Sequence, residues 1–87
     1  LTDRGELRVA LKTCRRLNSF NRDDSEAFLT EGILYARLGE HGNAIGSARN
    51  ALEIDRNNVE AHILLGEQYL FLKDARLARR HLDLAMK

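Results

Sequence analysis

The chain has 87 residues, enough for one domain, and 44% of them are apolar, so a core can be built. Fourteen basic side chains against 13 acidic ones leave a formal charge of +1. That balance supplies no long-range field to gather nucleic acid or an anionic membrane, and no stretch approaches the roughly 20 apolar residues of a membrane-spanning helix.

There is no Pro and no Trp, and Leu, Ala, Arg and Glu are common, which favours helix throughout. The sequence begins at Leu1 rather than Met and reads as a piece of a longer protein. Its lone thiol, Cys14, has no partner for an internal disulfide, which suits a reducing, cytoplasmic setting.

In chain order, Leu7, Ala10, Leu11, Cys14 and Leu17 recur at steps of three and four and predict a first helix over 5–18. Next comes FNRDDSEAF, from Phe20 to Phe28. Asp23 is the expected N-cap of a second helix, with Glu26 three residues on to complete a capping box. That helix carries small or apolar residues at Ala27, Phe28, Gly32, Leu34, Tyr35 and Leu38. LGEHGN over 38–43 turns the chain, with Gly39 available for a left-handed residue. Ala44, Ile45, Ala48, Ala51 and Leu52 predict the third helix.

IDRNNVEAH, from Ile54 to His62, then rewrites FNRDDSEAF 34 positions later, with Asn57 and Glu60 in the capping places. Ala61, Leu64, Leu65, Gly66, Tyr69 and Leu72 mark the fourth helix. LKDA over 72–75 turns the chain again. Asp74 is the expected cap of the fifth helix, which Ala75, Ala78, Leu82, Ala85 and Met86 mark.

The 34-residue shift aligns Arg22 with Arg56, Glu26 with Glu60, Ala27 with Ala61, Gly32 with Gly66, Tyr35 with Tyr69, Leu38 with Leu72, Ala44 with Ala78 and Ala51 with Ala85. Backward it pairs Gly5 with Gly39, Glu6 with Glu40 and Ala10 with Ala44. A fixed period of this size is the signature of stacked repeats. Gly inside a helix costs about 1 kcal/mol relative to Ala. Gly32 and Gly66 are therefore expected to face Ala44, Ala48 and Ala78, small against small, with Tyr35 and Tyr69 filling the wedge beside them. A second apolar set, Leu29, Ile33, Ile63, Leu70 and Phe71, lies outside the hairpin stripe, and a helix apolar on two faces is covered twice or awaits a partner.

The period, with Phe28, Glu31-Gly32, Tyr35, Gly39, Ala44 and Ala51 in one copy and His62, Leu65-Gly66, Tyr69, Lys73, Ala78 and Ala85 in the next, resembles the tetratricopeptide (TPR) repeat family over the whole chain. Departures are Arg22 and Arg56 where the family has Pro, Glu31 for Leu, His62 for a bulky aromatic, and Lys73 for a turn Gly. The resemblance implies a single all-α domain over 1–87. In it, antiparallel helical hairpins stack as a right-handed superhelix of about five helices: a lone second helix at 5–18, a repeat at 25–58 and a truncated one at 59–87. It also implies a non-enzymatic scaffold, adaptor or chaperone that holds a peptide or helix of another protein in a concave groove. The groove positions would be Glu26, Leu29, Thr30, Ile33, Ala36 and Arg37 on one helix, and Glu60, Ile63, Glu67, Leu70 and Phe71 on another. The carboxylate clamp of the family's chaperone-tail binders is not matched, because Leu29, Thr30, Ile33, Glu60 and Leu64 stand at the comparable places.

The alternative reading is a structural segment of a larger solenoid that forms a homo-oligomer through uncapped ends, showing Leu7, Leu11 and Leu17, or Leu70, Leu77, Leu82 and Met86, to solvent. His41, His62 and His81 fall on separate helices with no short metal-ligand spacing, so no metal, cofactor or catalytic set is expected. Glu31 falls on a packing face, where His41 or Arg49 would pair with it or its carboxylate would reach out to water. Lys73, Arg76, Arg79, Arg80 and Lys87 make the last helix basic, without the interleaved aromatics of a nucleic-acid surface.

Overall fold

A computed structural model describes residues 4–20 and 23–86. The repeated Arg22 and the basic Lys87 lie outside them. Five helices follow in order: α1 (Arg4–Phe20), α2 (Ser25–Arg37), α3 (His41–Ile54), α4 (Val59–Phe71) and α5 (Ala75–Ala85). Each packs on its neighbours in sequence, and α2 also meets α4. This is the contact pattern of stacked helical hairpins, in which the first helices of successive units line one side. None of the described helices is long and apolar enough to cross a membrane.

The starts of α2 and α4 are shifted by one residue from expectation. Asp24, not Asp23, caps α2, its Oδ1 accepting from the backbone N–H groups of Glu26 and Ala27. Asn58, not Asn57, caps α4, accepting from Ala61 N–H. Glu26 and Glu60 therefore sit one place too early to close a capping box. A long-range tie fixes this register: Asn58 Nδ2 donates to Ser25 Oγ at 2.8 Å, and Ser25 Oγ donates to the Ala51 carbonyl at 2.9 Å. The ends of α2, α3 and α4 are thereby stapled together. Asp74 caps α5 as expected, accepting from Leu77 N–H.

Both hairpins turn in the same way. Glu40 N–H bonds Tyr35 C=O and Gly39 N–H bonds Ala36 C=O; 34 residues later, Asp74 N–H bonds Tyr69 C=O and Lys73 N–H bonds Leu70 C=O. These are two Schellman closures, which need a left-handed residue after the helix. Gly39 supplies it at φ 79° without strain, whereas Lys73 does so at φ 61°, at a cost of roughly 1 kcal/mol for a side chain with a Cβ.

Small residues set the hairpin spacing. A Cβ added to Gly32 would lie 2.9 Å from Leu64 Cδ2 and 3.3 Å from the Ala44 carbonyl oxygen. One added to Gly66 would lie 2.6 Å from Leu82 Cγ and 3.3 Å from the Ala78 carbonyl oxygen. Leu65, Ala48, Ala51, Ala61 and Tyr69 form the main core with Leu29, between α2 and α5. A smaller cluster of Leu7, Leu11, Tyr35, Leu38 and Ala44 seats α1 on α2.

That seating corrects the picture of the ends. Leu7 and Leu11 are buried because their stripe is the one that docks on α2, and the outer face of α1 shows Val9, Leu17 and Phe20 instead. Leu77 and Leu82 are half-buried under α4, while Leu70 and Met86 are exposed. Glu31 is buried too, but its partner comes from α1: Asn18 Nδ2 donates to Glu31 Oε2 at 2.8 Å, with Arg15 Nε 3.9 Å from the other oxygen. His41 and Arg49 are engaged elsewhere. Nearby, burial and then the charge of Glu31 push the Cys14 thiol above its usual pKa, which keeps it protonated and unreactive at neutral pH.

Candidate functional site

The side lined by first helices carries a cleft of about 400 Å³. From α2 come Ile33, Ala36 and Arg37; from α4 come Glu60, Ile63, Leu64, Glu67, Gln68 and Phe71. Seven of the eleven positions expected from the sequence meet there. Leu70 joins Glu67 and Phe71 around an adjoining hollow of about 300 Å³. Glu26 is not in the lining; its carboxylate accepts from Asn58 Nδ2 at 3.4 Å. Thr30 is exposed, with its hydroxyl turned back to the Glu26 carbonyl of its own helix.

Leu29 is the misplaced member. It is only 2% exposed and packs in the core, because α2 has α1, α3 and α4 around it and this side of the helix meets the hairpin, not the cleft. Two lining residues lie outside the expected set. Leu64 does double duty as core and cleft floor. Gln68 is almost fully buried, yet its Oε1 is satisfied by His41 Nδ1–H at 2.5 Å. The same imidazole stacks on Phe71, with centroids 4.6 Å apart and planes 17° from parallel. His41 thus braces the floor and the wall of the cleft from the start of α3. Nothing local in the sequence links positions 41, 68 and 71; they meet only when α3 folds back along α4.

The cleft has an apolar lining under a rim of mostly one sign. Ile63 and Phe71 are exposed, Phe71 at 67%. Glu60 and Glu67 are exposed acids in its lining, against one exposed cation there, Arg37. Such a site suits recognition by burial and charge. Among the described residues no group of three or more His, Cys, Asp or Glu is placed to hold a metal.

The expectation that the histidines stand apart holds for His41 alone. His62 on α4 and His81 on α5 come together across the last hairpin, with ring centroids 5.5 Å apart and Nδ1 atoms 3.2 Å apart. Tyr69 stacks on His81 at 5.6 Å, and its hydroxyl accepts from Arg49 at 2.5 Å. Burial, followed by the charges of His62, Arg80 and Arg49, lowers the His81 pKa. Arg76, Arg79 and Arg80 lie on exposed positions of α5.

The architecture is that of an all-α, TPR-like superhelix of stacked helical hairpins. Solved structures share it. The crystal structure of MamA superposes with a TM-score of 0.90 at 22% identity, covering 93% of this chain and 47% of the MamA chain. A second structure, described as MamA MSR-1 C2, gives 0.87 at 20% identity, covering 92% and 46%. The chain therefore spans about half the length of these proteins, and at such identity the likeness is one of fold. No protein-family description and no curated protein sequence matches the chain.

Proposed function

We propose that the chain is a non-enzymatic protein-interaction module, a scaffold, adaptor or chaperone, whose α2–α4 cleft takes an amphipathic helix of a partner protein. On this reading α1 is the second helix of a preceding repeat, and 25–58 and 59–87 are the repeats that build the groove. The observation that carries the proposal is the cleft itself, with exposed Ile63 and Phe71 lining it beside the acids Glu60 and Glu67. An apolar stripe would bury on the floor, and basic flanks would meet the acidic rim, favouring a Leu-rich helix edged with Lys or Arg.

The test uses two synthetic helical peptides with the same Leu stripe, one flanked by Lys and the other by Glu, followed by fluorescence anisotropy. The Lys peptide should bind and the Glu peptide should not. Replacing Ile33 and Ile63 with Ser should weaken the Lys peptide at least about tenfold, since losing two buried aliphatic contacts removes more than about 1.4 kcal/mol. Far-UV circular dichroism should stay the same. Affinity indifferent to both peptide charge and the Ser changes would sink the proposal.

A second reading has its own observation. The outer face of α1 shows Val9, Leu17 and Phe20, and the end of α5 shows Leu84 with Met86 just beyond it. Apolar faces of this kind stack. If the chain is a solenoid segment that self-associates through them, light scattering will give a mass above the monomer that falls on dilution. A monomer mass unchanged across the dilution series rules this out.

A further inference from the structure

We propose that His62 and His81 form a binding site for a divalent transition ion of the kind imidazole prefers, with Zn(II) as the reference case. Their Nδ1 atoms are 3.2 Å apart. Two nitrogens each about 2.0–2.1 Å from a tetrahedral zinc are about 3.3 Å from one another. The pair thus already spans one edge of such a coordination shell.

The tautomer of His62 is set for the role. Its Nε2 lies 3.2 Å from the Arg56 carbonyl oxygen, which can only accept, so Nε2 carries the proton and Nδ1 carries the lone pair. A ring nitrogen bonded to a backbone carbonyl while its opposite nitrogen faces the metal is the usual outer support of a histidine ligand. Without metal, the Nδ1–H of His81 donates into that lone pair. With metal, the ion takes the place of this proton, which moves to Nε2 of His81, so the neutral pair binds without net proton release. Tyr69, stacked on His81 and itself held by Arg49, fixes the second ring.

Two protein ligands leave the rest of the shell to water. A cleft of about 400 Å³, lined by Arg56, Asn57, Val59, His62 and Leu84, opens beside His62. Arg49 and Arg80 repel a dication, and no carboxylate completes a set with the histidines among the described residues. Attraction by charge is therefore weak, and the site selects by affinity for nitrogen. Zn(II), Ni(II) and Cu(II) should bind, whereas Ca(II) and Mg(II), which favour oxygen, should not. The ion would join α4 to α5 and stabilise that hairpin by mass action.

The test titrates zinc chloride into the chain in a non-chelating buffer, read by calorimetry and by ring-nitrogen NMR. The expected result is one saturable equivalent, with the Nδ1 signals of His62 and His81 moving together and those of His41 unmoved. His62→Gln and His81→Gln should each lower affinity at least about tenfold, while His41→Gln leaves it unchanged and calcium chloride gives no heat. The ring signals are read on the unaltered chain, so the result does not depend on either variant folding. Absence of saturable binding, movement of His41 alone, or full affinity in His62→Gln would overturn the site.

Discussion

Leu29→Ala should cost about 3 kcal/mol, whereas Ile63→Ala, one repeat away, should cost under about 1 kcal/mol. Leu29 is 2% exposed among Ile45, Ala48, Ala61 and Leu64, so truncation opens a cavity that rigid helices fill poorly. Leu-to-Ala changes at such positions run to about 2–5 kcal/mol. Ile63 is already 38% exposed and loses only part of a contact. A chain this short has little to spare, since a domain is stable by only about 0.05–0.15 kcal/mol per residue. Urea unfolding followed by far-UV circular dichroism measures both. A large drop in midpoint for Leu29→Ala with a small one for Ile63→Ala separates core from cleft. Similar losses for the two would return Leu29 to the groove.

The second large effect should come from adding one methyl group at Gly66. In an exposed helix, Gly→Ala stabilises by about 0.5–1 kcal/mol. Here the new Cβ would meet Leu82 Cγ at 2.6 Å and Cδ2 at 2.7 Å, with the Ala78 backbone behind at 3.3 Å. Cγ is the branch point of Leu82, tied through one bond to Cβ, so the clash is relieved only by changing rotamer or by parting α4 from α5. Overpacking of this kind costs about 1–3 kcal/mol. Gly32→Ala should be milder, because its nearest atom is the Cδ2 tip of Leu64, which can swing. Thermal melts should show a clear fall in Tm for Gly66→Ala and a small shift for Gly32→Ala. In the double variant with Leu82→Ala, the two losses should be less than additive, because the clash partner is gone. Strict additivity would mean that the close approach at Gly66 is not what spaces the hairpin.

The repeat period, the five helices and the pairing of Gly with Ala are legible in the sequence because local rules that recur every 34 residues set them. Where adjacent residues are equally suited, local rules run out. Asp23 and Asp24, like Asn57 and Asn58, are interchangeable caps on propensity. The bond from Asn58 to Ser25 decides between them, and it crosses 33 positions. Leu29 escapes a sequence reading for a related reason. Periodicity shows that α2 has two apolar faces without saying which one meets α4. The histidine pair can be narrowed down by reflecting the chain about the turn at 72–74, which sets position 62 opposite 84, within one helical turn of position 81. The cleft's brace cannot, since His41, Gln68 and Phe71 belong to different repeats.

The buried pair of Asn18 and Glu31 gives the stack an order. Shifted by 34 residues, these positions become Leu52 and Leu65, so the seam between a second helix and the next first helix is written twice in different alphabets, amide with carboxylate and then leucine with leucine. Backbones so alike could otherwise trade places, one chain lending its hairpin to another or a duplicated unit joining anywhere. A helix of the α3 kind set against Glu31 would put Leu52 in place of the Asn18 amide and leave the carboxylate only Arg49, at the place of Arg15, and one of the α1 kind set against Leu65 would strand an amide. Each unit therefore carries an address, and neighbours are matched as a lock accepts one key, although the period that built them is the same.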